Sequence, residues 1–396
     1  MKLSILPALA LVGLTTSAPL TPSSPPGHNL PILKTTTTSK GQILDWVPLN
    51  SQGQIARPPP LSLLKRTPTA QDVAIVNAIK PQDSGPAGTV PILRSHGPTK
   101  PMKRLPQVQD NNSTYSSTSS SSSTSTHAKR SYNGQHWYAS TAQNVNNHGG
   151  TATYSIFKAF VERSSDFSLL QVAVIRNNAA HAGTAPKSQT VECGWINYPD
   201  QVGDPHLFSF YTINNYEAYG DNICGWNRDV AGWVQYDKDI YPGIPFAPLS
   251  TIGGAKYEAD IGYYYYEGNW WLSTLGKFIG YYPGSLFSQG VNPADTLNDH
   301  SDQINFYGEI YNSEEDMTTT DMGSGEFPEA GFGNAAYLRK IAYYDTGNNY
   351  QNYDGSRGVI VSDQNRYRLS ANWNSGSDWG SYFYLGGPGA GGVIGA

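Results

Sequence analysis

The chain has 396 residues, 38% of them hydrophobic and only 14% charged, with a formal net charge of −5. An acidic balance excludes a strongly basic nucleic-acid binder. No apolar run reaches the ~20 residues that a membrane-spanning helix needs.

In chain order, residues 1–18 open with Lys2, run through apolar Leu3–Leu14 and end in Thr15, Thr16, Ser17 and Ala18. This is the pattern of a secretory signal peptide and predicts a secreted, extracellular product with no membrane anchor. Residues 19–130 are rich in Pro, Ser and Thr and end in a serine tract, which predicts a largely disordered pro-region with a flexible linker. Asn111 and Asn112 each begin an N-x-Ser/Thr glycosylation sequon. The dibasic pair Lys129-Arg130 falls where the serine tract gives way to aromatic, glycine-rich sequence, which predicts processing after Arg130. Residues 19–130 hold 12 basic and 4 acidic residues, a net +8, whereas residues 131–396 hold 13 and 27, a net −14. A basic leader on an acidic body predicts that the pro-region is an intramolecular partner of the domain it precedes.

From residue 131 to 396 short alternating segments are separated by Gly, Asn and Asp. FSLLQVAVIR (Phe167–Arg176), HLFSFYT (His206–Thr212) and AGWVQY (Ala231–Tyr236) are examples. The run from Glu258 to Phe287 reads as a meander, with turns at Glu267-Gly268-Asn269 and Leu275-Gly276-Lys277. Repeated short strands predict an all-β, antiparallel sandwich of two sheets.

Two glutamates stand out by parity. In QTVECGWINY, alternation groups Glu192 with Thr190, Gly194, Ile196 and Tyr198, opposite Val191, Cys193 and Trp195. In SDQINFYGEIYN, Glu309 falls with Asn305, Tyr307 and Tyr311, opposite Ile304, Phe306 and Ile310. Two carboxyls sharing a site cannot both ionise easily, so one can hold a proton while the other takes one from water. No zinc-hydrolase, nucleophile-elbow, Walker or Cys-x-x-Cys motif is present, His136, His181, His206 and His300 are scattered, and no metal or cofactor is expected. Cys193 and Cys224 in an exported chain predict one disulfide, worth roughly 3 kcal/mol for a loop of about 30 residues.

Ordered landmarks along the body resemble the neprosin family of glutamic peptidases. They are HWYAS (His136–Ser140), SDFSLLQVAV (Ser165–Val174), ECGW (Glu192–Trp195), GNWWL (Gly268–Leu272), GYYPGSLF (Gly280–Phe287), YGEI (Tyr307–Ile310), DMGSGEFPEAGFGNAAYLRKI (Asp321–Ile341) and DWGSYFYLGGPG (Asp378–Gly389). Residues Gly41–Leu61 resemble the activation peptide that precedes this domain. The resemblance implies a zymogen inhibited by its own pro-region and a prolyl endopeptidase active at acidic pH, with Glu192 and Glu309 as its catalytic pair. The substrates implied are proline-containing peptides or proteins, and the enzyme is expected to be a monomer. Trp195, Trp270, Trp271 and Tyr307 are candidate aromatic platforms for the substrate proline. Tyr307 stands where the family carries glycine, and Cys193 where it carries alanine. The family's usual upstream partner for Cys224 is missing, which points to a Cys193–Cys224 bridge beside the active site. Two alternatives keep the same fold: a noncatalytic carbohydrate-binding module with aromatic platforms, and a two-carboxylate glycosidase.

Overall fold

A computed structural model describes residues 30–94, 134–376 and 378–392. The processing pair Lys129-Arg130 and the sequons at Asn111 and Asn112 lie outside the described residues.

The composition of residues 19–130 taken as a whole hides a folded part. Strands β1 (Lys34–Thr37), β2 (Ile43–Pro48) and β3 (Thr89–Leu93) form a three-stranded antiparallel sheet in the order β1-β2-β3, with helix α1 (Ala70–Ile79) between β2 and β3. The helix begins with a capping box: Thr69 Oγ1 accepts from the Asp72 amide at 3.2 Å, and Asp72 Oδ2 accepts from the Thr69 amide at 2.6 Å. This segment carries apolar residues in ordinary proportion, with a small cluster of its own at Val47, Val90 and Ile92, and it shares a larger core with the body. Its Leu44, Trp46 and Ile75 are buried in the same cluster as Tyr241, Ile244 and Phe246 of the body.

The body starts with β4 (Gln135–Ser155), β5 (Phe167–Ala179), β6 (Lys187–Tyr198), β7 (Val202–Thr212), β8 (Cys224–Trp226) and β9 (Val234–Gln235). The predicted meander follows as β10 (Glu258–Tyr266), β11 (Asn269–Thr274) and β12 (Lys277–Pro283), and then β13 (Ser301–Asn312). The remaining strands are β14 (Ala336–Asp345), β15 (Tyr350–Asn352), β16 (Val359–Val361), β17 (Arg368–Asn372) and β18 (Tyr382–Gly386). The main path is antiparallel, in the order β8-β7-β6-β5-β13-β4-β10-β11-β12-β9, and β14 and β16 also pair with β4.

The long strand β4 makes the sandwich. Its first part, Gln135–Asn147, pairs with β13, and its last part, Gly149–Ser155, pairs with β10, so one strand belongs to both halves of a curled sheet. The bend falls at Gly149, where φ is +109° and a Cβ would lie 2.1 Å from the Tyr263 carbonyl oxygen, so only glycine fits. The halves close on a core that includes Val172, Val191, Trp195 and Phe306 from one and Ile261, Tyr263, Trp270 and Leu272 from the other. The parity reading of β6 and β13 holds, because the sheet must turn its aliphatic face to this core. The other face of β5, β6 and β13 carries the glutamates and aromatic side chains among a few aliphatic ones, Leu169, Ile175 and Ile196.

The predicted disulfide does not form. Cys193 and Cys224 are both free and buried. Cys193 lies in the inner core with Val191 and Trp195, while Cys224 lies with Phe208, Phe210 and Trp226 on the outer face, and β7 runs between their strands. Two strand spacings are ~10 Å, beyond the ~7 Å that a disulfide allows between Cα atoms, and the side chains point apart.

Candidate active site

Strand register brings the two glutamates to one face. On β5, Ala173 is the partner of Glu192 from β6, and Leu169 is the partner of Glu309 from β13. The carboxylates therefore sit on a diagonal across β5, and Gln171, paired with Gly194 and Tyr307, lies between them. Gly194 is required by close packing rather than by its φ: a Cβ there would meet the Leu170 carbonyl oxygen at 1.9 Å.

Glu192 is fully buried and held by several donors. Its Oε1 accepts from Thr190 Oγ1 at 2.8 Å and from the Tyr216 hydroxyl at 2.5 Å, and its Oε2 accepts from Gln171 Nε2 at 2.9 Å. The Tyr307 hydroxyl lies 3.4 Å from the same Oε2 and is also hydrogen-bonded to Gln171. Tyr216 reaches the carboxylate from the turn after β7, where Asn215 and Tyr216 have φ of +59° and +60°. Such a conformation costs roughly 1–2 kcal/mol per non-glycine residue. The turn is held by the Tyr216 amide donating to Thr212 Oγ1 at 3.1 Å and by its ring stacking on Phe210. Burial pushes the Glu192 carboxyl up to about 7; Tyr216, Thr190 and Gln171 oppose the rise, and the charge of Glu309 adds to it.

Glu309 is 1% exposed, and its Oε1 makes a short hydrogen bond with His136 Nδ1 on the neighbouring strand β4. Burial pushes its carboxyl well above the usual range, with the Tyr138 hydroxyl acting in the opposite direction. The His136 ring is enclosed by Tyr138, Phe167 and Tyr311. The site is thus a pair of desolvated carboxyls on one sheet face, each with its own hydrogen-bonding shell.

Of the four aromatic candidates, only Tyr307 joins the glutamates. Trp195 points to the inner core, as its parity opposite Glu192 dictates, and donates from Nε1 to the Ser155 carbonyl at 3.0 Å. Trp270 is also a core residue, donating from Nε1 to the Leu297 carbonyl at 2.7 Å. Trp271 is fully buried on the outer face of the other half, among Tyr264, Phe278 and Tyr281 and beneath leader residues Leu63 and Leu64. None of these tryptophans is a surface on which a substrate can stack.

Sequence reading missed Gln171, Tyr216, Tyr138 and the role of His136. Gln171 had a signal, being the one amide in the aliphatic run SLLQVAVI of β5. His136 and Tyr138 alternate in HWYAS and lie opposite Tyr311 and Glu309 in the β4–β13 register. Tyr216 had none, because it comes from a turn.

The fold and site together define an antiparallel sandwich with two buried glutamates on one sheet face, set diagonally across one strand. The neprosin family profile matches residues 164–388, and the chain belongs to the neprosin family. Two crystal structures of scytalido-glutamic peptidase with transition-state analogs, one of them peptide-based, are also similar to this chain. Each has a TM-score of 0.31, at 9% and 10% identity, over 64% of this chain and 97% and 98% of the other. That likeness is too slight to carry an argument about chemistry.

Proposed function

We propose that the protein is a secreted glutamic endopeptidase that cuts peptide chains after proline and is made as a precursor. The observation that carries this reading is the pair of buried carboxyls, Glu192 and Glu309, on one face of β6, β5 and β13. Family membership supplies the reaction class, peptide hydrolysis of the glutamic type.

The unequal shells suggest unequal roles. Donors from Thr190, Tyr216 and Gln171 favour the charged form of Glu192, which suits it to take a proton from the attacking water. Glu309 is pushed further up and keeps its proton, shared with His136, to hydrogen-bond the scissile carbonyl and then protonate the leaving amine. Because the carboxyls interact, they titrate as a unit with one proton in the active form. The rings of Tyr138 and Tyr307 border this face beside the glutamates, and a proline ring would meet them once substrate opens the site.

Burial sets the resting protonation in the same terms. At pH 4 a Glu192 held near 7 is protonated for as long as the site stays closed to water. Admitting water and substrate lowers both carboxyls toward their ordinary values and restores one charge at acidic pH.

The test is hydrolysis of a proline-containing peptide from pH 3 to 8 by full-length protein and by protein cut after Arg130. We expect cleavage after proline by the cut form, a loss of at least about 1,000-fold in Glu192→Gln and Glu309→Gln, and little activity from the intact chain at pH 4. Full activity in either variant removes that residue from the mechanism. Equal cleavage when alanine replaces the proline removes the specificity. Recovery of the product only inside the expressing cells removes secretion.

A further inference from the structure

The folded leader does not lie over the glutamates. The partners named above for both carboxyls belong to the body, on the outer face of β5, β6 and β13. Residues 30–94 instead attach mainly to the other half of the sandwich, with an ion pair from Lys40 to Asp204 of β7, and they do so as structural material rather than as a plug.

Three kinds of contact make the attachment. Leu44, Trp46 and Ile75 are at most 1% exposed and share the body's main core. At about 1.5–3 kcal/mol for each large apolar side chain buried, these three alone contribute several kcal/mol. Ile55, Ala56, Leu63 and Leu64 pack on the outer aromatic cluster of Trp271, Tyr281 and Tyr344, which would otherwise lie bare. Leader amides also satisfy the body's backbone as a neighbouring strand would. Gln52 donates to the Gln235 carbonyl at 2.8 Å and accepts from the Gln235 amide at 3.0 Å on terminal strand β9. Gln71 bonds the Lys256 carbonyl at 2.9 Å and the Glu258 amide at 3.1 Å, and Gln42 the Gly243 carbonyl at 2.7 Å.

The leader carries a dibasic pair of its own, Lys65-Arg66, and the fold ties it down. Arg66 bonds Asp72 of α1 at 2.8 Å and also pairs with Asp260 of β10, which links the leader to the body. Lys65 ends a short 3-10 turn in the left-handed region at φ +48°. An extended peptide at this pair, as a processing protease requires, would break both contacts.

We propose that residues 30–94 stay bound as a noncovalent subunit after the chain is cut in the serine-rich linker, so that the processed protein consists of two chains. The glutamate face is left to the body, so retention of this unit is compatible with catalysis. It also makes the leader necessary for folding, since the body without it exposes both an unfilled core and the terminal strand β9.

The experiment places a specific protease site in the serine tract of the full-length chain, cuts it, and separates the products by size at pH 7 with and without 1 M NaCl. The expected result is a single 1:1 peak in both buffers, because apolar burial rather than surface ion pairing holds the leader. Separate elution of the two pieces, with the body folded or aggregated, overturns the proposal. Limited trypsin digestion is the second measurement: Lys65-Arg66 should resist, and Asp260→Asn should speed its cleavage about tenfold. Equal cleavage of this pair in both proteins overturns the protection. Peptide hydrolysis by the co-eluting pair is scored separately: co-elution without cleavage counts against the peptidase reading and leaves the two-chain assembly standing.

Discussion

The Glu192 carboxyl bears on stability as well as on the proposed chemistry. A glutamic acid titrates near ~4.3 in an unfolded chain, whereas in the fold burial raises this group to about 7. Between these values the native state holds the proton that the unfolded state has lost, so this group makes the protein less stable as pH rises. The cost is absent below about pH 4 and reaches on the order of 3 kcal/mol above pH 7. We therefore expect Glu192→Gln to gain thermal stability relative to the parent as pH is raised from 4 to 7.5, measured by Tm. A gap that does not change with pH would show that Glu192 is ionised throughout. Tyr216→Phe removes the 2.5 Å donor to Oε1 and leaves the ring on Phe210. In the cut enzyme it should raise the acid limb of the pH–rate profile and lower kcat by about tenfold. An unchanged limb would mean that Tyr216 does not face the working base.

Among the strands, β6 and β4 carry the most constraint. Gly194 lets β6 approach β5 closely enough for Gln171 to reach Glu192, and a methyl group there would displace the Leu170 carbonyl from the ladder. Gly194→Ala is expected to lower stability by about 3 kcal/mol and to reduce activity further than that loss explains, because it moves Glu192, the proposed base. Gly149→Ala combines a backbone clash with an unfavourable φ and should destabilise by a similar amount, measured by urea unfolding. Since Gly149 is remote from the glutamates in the β4 register, the protein that remains folded should keep its kcat. A loss of kcat in proportion to that of Gly194→Ala would show that the corner and the site are coupled.

For the molecule as a whole, charge joins the leader to the body at a few points that acid can release. Burial alone would push the Asp204 carboxyl up, but ion pairs with Lys40 and Lys158 outweigh it and hold the group below its usual value. A carboxyl lowered by a partner contributes above its free value and loses that contribution as pH falls through the lowered one. The Lys40 link to the leader is therefore intact from pH 7 to 5 and weakens below about pH 4. Retention of the leader on the body after the serine tract is cut should be flat over the first range and fall over the second, read by size-exclusion chromatography at each pH. A fall already at pH 6 would point to a histidine instead.

The β class, the turns and the faces of β6 and β13 were legible in the chain because strand periodicity is local: each side chain's face follows from its neighbours one and two positions away. Glu192 and Glu309 became a pair by that parity together with the family's motifs. The order of strands was not local, and it separated Cys193 from Cys224 and brought His136 beside Glu309. Composition pointed to a largely unstructured leader because it was taken over 19–130 as a whole, where the Ser/Thr-rich linker masks the apolar residues of 30–94. Those residues form a small cluster of their own and complete their burial against body residues about 200 positions away, a contact with no local signature.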